Sequence, residues 1–562
     1  MDDVDAAHAA TSRTMLRSGD WVTPRLNGVK YLDKPPMIYW VSAVSFALFG
    51  VYDWAARLPI ALSAVLLCWI TARMGVWAFS RTAGLYAGLA LASSVGLFLF
   101  TRWSIPEVML ALMAALSLWG FLRLLEGNER RPGLWVFLIG ASLGAGLLLK
   151  GLLGLLVPGG AAFVYLVITR QLFSREVWNR LKPHYVLAAT LLVAAPWYIL
   201  AILANPPYFD FTLRSEPGQY RGFFWAFFIN EHLLRYLNLR YPRDYNTVPL
   251  TSFWLLHLVW LFPWSVYFPA AARLSYRPVD RAGRTRLLAL CWAGFLLVFF
   301  SFSTSQEYYT VPMYPALALL LGSAIAEGGK WVRWGTIATA TVAAMAAVAA
   351  GVILYVVRAI PVQGDITAAL TQNPEAYTLS LGHLSDLTLP AFAYLRGPLL
   401  LAGIAFAMGA LVAVTLSRRG NWVALALMMV MLTQAAHMAM AVFDPMLSSR
   451  PLAEALHQSP PGKMIIDGAY YPFSSVFFYA DRDGLLLNGR ITNLEYGSYA
   501  PGAPDVFIDD AEAKRLWQGP ERYYLLASEE SLPRLTKTLG ESQFHTIRKS
   551  GGKALFTNQM LP

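Results

Sequence analysis

At 562 residues and 62.2 kDa the chain is long enough for roughly three or four soluble domains, but its composition excludes them: 56% is hydrophobic, 14% is charged, and the mean hydropathy is +0.46. Soluble chains carry about 25% charged residues; so few cannot coat this much apolar surface in water, and the sequence reads as a polytopic α-helical membrane protein. The net charge of +11 fits basic cytoplasmic loops and argues against nucleic acid, while Cys68 and Cys291, both in apolar runs, offer no disulfide framework or cysteine metal site.

In chain order, Asp2, Asp3 and Asp5 precede a helical run that reaches Met15. Lys30-Tyr-Leu-Asp33-Lys34-Pro-Pro then leads into a short apolar segment, 36–50, expected to lie in the interface without crossing. Spanning helices need about 20 mostly apolar residues. Twelve such runs follow, near 56–80, 83–101, 104–125, 133–149, 151–170, 184–204, 251–271, 286–303, 308–326, 332–356, 397–416 and 421–443. Beyond them the character changes. KMIID, SVFFYA, DVFIDD and RYYLLAS read as strands, and AEAKRLW and SLPRLTKTL as helices, which predicts a small α/β domain. The expected division is a juxtamembrane segment at 1–50, a membrane domain at 51–443 with long loops at 205–250 and 357–396, and the α/β domain at 444–562. No GxGxxG, P-loop, HExxH or GxSxG motif is present, and no repeat of fixed period.

Charge sets the orientation. With 36–50 left uncrossed, one set of alternate loops carries eighteen basic residues, from Arg73 and Arg81 through Arg281 and Arg284 to Arg418 and Arg419. The short loops of the other set carry only Arg102 and Lys150. The first set is therefore cytoplasmic, and the N-terminal segment, both long loops and the α/β domain are expected outside. A chain that starts outside leads us to expect a further transmembrane helix before residue 1, the alternative being unaided translocation of the N-terminus.

Expensive charges at membrane level default to functional sites, and here they gather on the outer side. They are the three N-terminal aspartates, Asp33 and Lys34, the Arg102-Trp-Ser-Ile-Pro-Glu107 turn, Lys150, Glu231-His232-Leu-Leu-Arg235, and the Ser305-Gln-Glu307-Tyr308-Tyr309 turn. Each has a plainer reading. The aspartates and Glu107 suit helix N-termini, Lys34 and Arg57 suit interfacial snorkelling, and His257 and His437 read as structural.

GVKYLDKPPMIYW, preceded by MLRSGDWVTPRLNG, resembles the first outer loop of GT-C glycosyltransferases that use polyprenyl-phosphate sugars. These are the protein O-mannosyltransferases and especially the bacterial aminoarabinose (lipid A) transferases. The similarity continues through WAARLP, TRWSIPEVML, LLLKGLLGLLVPG, FFINEHLLRYL, FSTSQEYYTVPMYPALALLLG and the α/β tail. The resemblance implies a GT-C fold with an active site on the outer face of the bacterial inner membrane. It also implies a polyprenyl-phosphate sugar donor, and lipid A, an envelope glycan or a protein as acceptor. Alignment on Met15 sets the family's first-helix glutamate on Asp5, its tyrosine on His8 and its aspartate on Val4, so the catalytic acid falls on Asp3 or Asp5. The second acid falls on Glu107. The family's metal-holding glutamate and histidine fall on Asp33, one methylene shorter, and His232, implying a divalent metal ion there.

The residues themselves suit that chemistry. Transfer needs a carboxylate to deprotonate or orient the acceptor, here Asp3, Asp5 or Glu107. It needs cations for the departing phosphate, here Lys34, Arg102, Lys150 and Arg235, and an apolar groove for the prenyl chain. Direct displacement would invert the anomeric centre without a protein nucleophile. The rival class, a lipid or sugar transporter, would place ionisable groups near the bilayer midplane; these cluster at one interface.

Overall fold

The computed structural model describes every residue except 215, 243–247, 304–305, 371–385, 420–421 and 562, and leaves out the side chains of 368, 414, 416–419, 424 and 542. Helix α1 (Asp3–Ser18) ends on Gly19, whose φ of +71° is a left-handed cap. A two-residue hairpin follows, β1 (Arg25–Leu26) and β2 (Val29–Lys30), turning on Asn27-Gly28 with φ of 51° and 78°. Helix α2 (Met37–Phe49) has 13 residues, about 20 Å, against a hydrocarbon core of about 30 Å. It is too short to cross upright, as expected for 36–50.

The membrane domain continues with α3 (Asp53–Ala78), α4 (Arg81–Ala92), α5 (Val95–Arg102), α6 (Glu107–Glu126), α7 (Pro132–Lys150) and α8 (Leu153–Ile168). Among the described residues nine helices are long and apolar enough to span. Two more predicted spans are broken: α4 and α5 meet at 50°, and Leu250–Trp260 meets Trp264–Ala271 at 98°. The first break is at Ser93-Ser94, where the Ser94 hydroxyl accepts from Leu97 N–H to start α5 afresh. The second is at Pro263, which brings no N–H to continue a helix. The remaining predicted span, 151–170, is α8 with 16 residues, about 24 Å, shorter than the hydrocarbon core. Helix α6 is the most enclosed of those from α3 to α8, which places Glu107, at its first turn, inside protein.

The C-terminal sheet comprises β3 (Lys463–Asp467), β4 (Leu485–Leu487), β5 (Phe507–Ile508), β6 (Tyr523–Ser528), β7 (His545–Ser550) and β8 (Lys553–Thr557), in the order β5-β4-β3-β6-β8-β7. Strands β5, β4, β3 and β6 run parallel, and β6, β8 and β7 antiparallel. KMIID and RYYLLAS are the strands β3 and β6, as expected, and DVFIDD contracts to two residues. SVFFYA is a correction, because Ser474–Ala480 is a helix. Ser475, Val476, Phe477, Phe478 and Ala480 are all buried, and a short run of buried residues has no period to separate strand from helix. This helix packs against α1. Ala7, Ala10, Met15, Val29 and Tyr31 share one apolar core with Leu452, Ile466, Phe477 and Leu526, so the N-terminal segment and the α/β domain are a single packing unit.

Candidate active site

At 100° per residue, positions 2, 5 and 8 of the N-terminal helix fall on one face and position 3 on the opposite one. On the first face, Asp5 is fully buried. Its Oδ2 accepts from Arg57 Nη2 at 2.6 Å and Nε at 3.2 Å, and its Oδ1 from the Ser104 N–H at 2.7 Å. Burial raises the Asp5 carboxyl above its ordinary value, although Arg57 and the Ser104 N–H oppose it. Asp2 lies 3.5 Å from Arg102 Nη2. One turn on, His8 stacks on Tyr39 with centroids 5.7 Å apart, and its Nε2 lies 3.2 Å from Lys34 Nζ. An ammonium only donates, so Nε2 accepts and the ring is neutral. Burial, then Lys34, hold it well below the usual imidazole value.

Asp3 faces the other way. Lys553 Nζ lies 2.7 Å from its carboxylate, the Ser449 hydroxyl donates to it at 3.0 Å and the Ser475 N–H at 2.9 Å. Arg13 donates to the carbonyls of Phe477 and Phe478 beside it. Of the two acids between which the sequence left the choice open, Asp3 is thus built into the joint with the α/β domain, and Asp5 lies with the other charges.

The turn between α5 and α6 links two groups of charges. Its Ser104 serves Asp5; three residues later Glu107 pairs with Lys150, the last residue of α7. The second Glu107 oxygen is buried without a hydrogen-bond partner among the described residues. Lys150 Nζ also lies 4.3 Å from the Tyr309 ring centre. Arg235 donates to the Tyr309 hydroxyl at 3.1 Å and to Glu231 at 2.9 Å, and Arg240 grips the other Glu231 oxygen. Ser305 lies outside the described residues. Arg102, Lys150 and Arg235 therefore each already face a carboxylate. Lys34 differs: among the described residues no carboxylate oxygen lies within 4.0 Å of its Nζ, and its hydrogen-bond partner is the neutral His8.

The expected metal pair does not form. His232 Nε2 accepts from the Leu152 N–H at 3.1 Å, and Nδ1 therefore carries the proton and donates to the Phe227 carbonyl at 2.6 Å. Burial lowers its value, consistent with a neutral ring. Both nitrogens are committed, which leaves no donor for a metal. Asp33 instead lines a small cleft with Asn230, Glu231, Arg240 and Asn493. No cluster of three or more His, Cys, Asp or Glu suited to a metal occurs among the described residues.

Sequence reasoning missed Arg57 as the partner of Asp5, Arg240 on Glu231 and Lys553 on Asp3. The helical arc of positions 2, 5 and 8 was a usable signal for the first; an arginine in the apolar WAARLP run was another.

Residues 33–200 match the family model described as dolichyl-phosphate-mannose-protein mannosyltransferase. The undecaprenyl phosphate-alpha-4-amino-4-deoxy-L-arabinose arabinosyl transferase of Pseudomonas aeruginosa is 32% identical over 340 residues, 58% of this chain and 55% of that protein. Its namesake in Pectobacterium carotovorum is 28% identical over 405 residues, 69% and 66%. The chain thus spans about half to two thirds of the length of the curated relatives it matches. The crystal structure of ArnT from Cupriavidus metallidurans bound to undecaprenyl phosphate superposes with a TM-score of 0.78 at 25% identity, covering 99% of this chain and 93% of that one. With its apolar spans, its C-terminal α/β domain and this end-to-end correspondence, the chain has the GT-C fold of that membrane glycosyltransferase structure.

Proposed function

We propose that the protein transfers a sugar from a polyprenyl phosphate to lipid A on the outer face of the bacterial inner membrane, aminoarabinose being the sugar its named relatives point to. The observation that carries the reading is the Lys34 ammonium, without a carboxylate among the described residues in a site where Arg102, Lys150 and Arg235 each face one. It is the cation ready for a phosphate; those three reinforce it. The basic asymmetry of the loops supports the outer face.

The acceptor oxygen attacks the anomeric carbon as the bond to the donor phosphate breaks, with inversion. The acceptor proton passes to a carboxylate. Glu107 suits this role, because Lys150 holds one of its oxygens and leaves the other bare. Asp5, locked between Arg57 and Ser104, fixes the α1 face beside the turn that carries Glu107. No step is assigned to a metal.

Purified protein in liposomes, given labelled polyprenyl-phosphate aminoarabinose and lipid A, should yield labelled lipid A. Turnover onto protein or glycan but not lipid A refutes the acceptor; no turnover with any polyprenyl-phosphate sugar refutes the transferase and returns the transporter.

A further inference from the structure

We propose that His8 is a positioning residue: it aims the Lys34 ammonium at the donor phosphate. This rests on the reading of Lys34 as the phosphate ligand and adds a determinant to which the proposed function assigns no role. A lysine is a compact charge on a flexible four-carbon stem, and fixing it at the moment of binding costs side-chain entropy. Here one of the three ammonium protons is already directed, towards His8 Nε2 at 3.2 Å, which leaves two for an anion.

The support behind His8 is rigid. The residue is 6% exposed, its ring lies nearly parallel to Tyr39 at 19°, and it sits on the helix that Arg13 and Asp3 fasten to the α/β domain. From the loop before α2 only Lys34 bears a charge on it, and α2 itself contributes the Tyr39 ring. The hydrogen bonds between the helix Ser474–Ala480 and α1 go to Asp3 and Arg13. A neutral acceptor in this place orients the lysine without neutralising it, which an aspartate would do.

The test is steady-state transfer as a function of donor concentration in five variants. His8→Phe keeps a ring against Tyr39 but has no acceptor, and should raise the donor KM about five- to tenfold with kcat within about twofold, the scale of one ordinary intramolecular hydrogen bond. His8→Gln restores an acceptor and should bring KM back to within about twofold of the parent. Lys34→Met should raise KM by at least as much, and adding His8→Phe to it should change little more, because the two act through one contact. His8→Leu carries the same expectation if the phenylalanine variant does not elute as folded protein. An unchanged KM in both acceptor-less variants, or His8 and Lys34 effects that multiply, overturns the assignment to His8 while Lys34 stands. An unchanged KM in Lys34→Met overturns the phosphate reading and this inference with it.

Discussion

Replacing Lys553 by Met tests the joint between α1 and the α/β domain. The change strips the ammonium from Asp3 and leaves a carboxylate whose side chain is 9% exposed. Removing one partner of a buried ion pair costs about 3–5 kcal/mol. Asp3 keeps the Ser475 N–H and the Ser449 hydroxyl, and the lysine side chain is 15% exposed, so a loss of about 2–3 kcal/mol is expected. Melting of a membrane protein is commonly irreversible, so native-state hydrogen exchange is the better assay. At 1.4 kcal/mol per decade, amides of α1 and of Ser474–Ala480 that open together should exchange about 30- to 150-fold faster. In an Asp3→Asn background the same change should cost under about 1 kcal/mol, since there is no charge left to strand. Exchange within about threefold of the parent in the single variant would refute the clasp.

Two further outcomes follow. Glu107→Gln should lower transfer about 10²- to 10⁴-fold while leaving donor binding in place; activity within threefold of the parent removes it from the mechanism. Glu231 should make the 225–240 loop, helical over Trp225–Leu234, acid-sensitive. Burial raises its carboxyl, but Arg240 and Arg235 outweigh burial and hold it below the ordinary 4.5. A depressed carboxylate gives stability that is fully present above the unfolded value and is lost as pH falls through the folded one. Amide protection of this loop should therefore be flat from about pH 7 to 5 and fall below about 4.5, and Glu231→Gln should abolish that step; a step that survives the substitution belongs to another group.

What the sequence made legible was what repeats along it. Among the described residues apolar length located the helices long enough to span, though it was blind to the bends at Ser93-Ser94 and Pro263, where the hydropathy runs on unbroken. Alternation and turn residues found β3 and β6, and failed at SVFFYA, where burial on every side erases the period. Which charges to group together was readable from the alternation of the loops; which of them touch was not. Asp3 and Asp5 sit two residues apart in one helical turn and equally suit its dipole, yet their partners are Lys553 and Arg57. Such pairings across hundreds of residues are set by packing alone. His232 was visible as a site residue, but the use of its nitrogens depends on where Leu152 and Phe227 end up.

The contact at the α7–α8 corner bears on how this protein can be recombined. Gly151 holds φ at +60°, and a Cβ there would come within 2.2 Å of His232 Nε2, the atom that receives the Leu152 N–H. The corner and the loop that carries His232 are consequently interlocking halves of one part. A chimera whose junction falls between residues 151 and 232 severs them, whatever the quality of either donor segment. Grafts of the 225–240 loop from a relative should therefore bring that relative's α7–α8 corner with them.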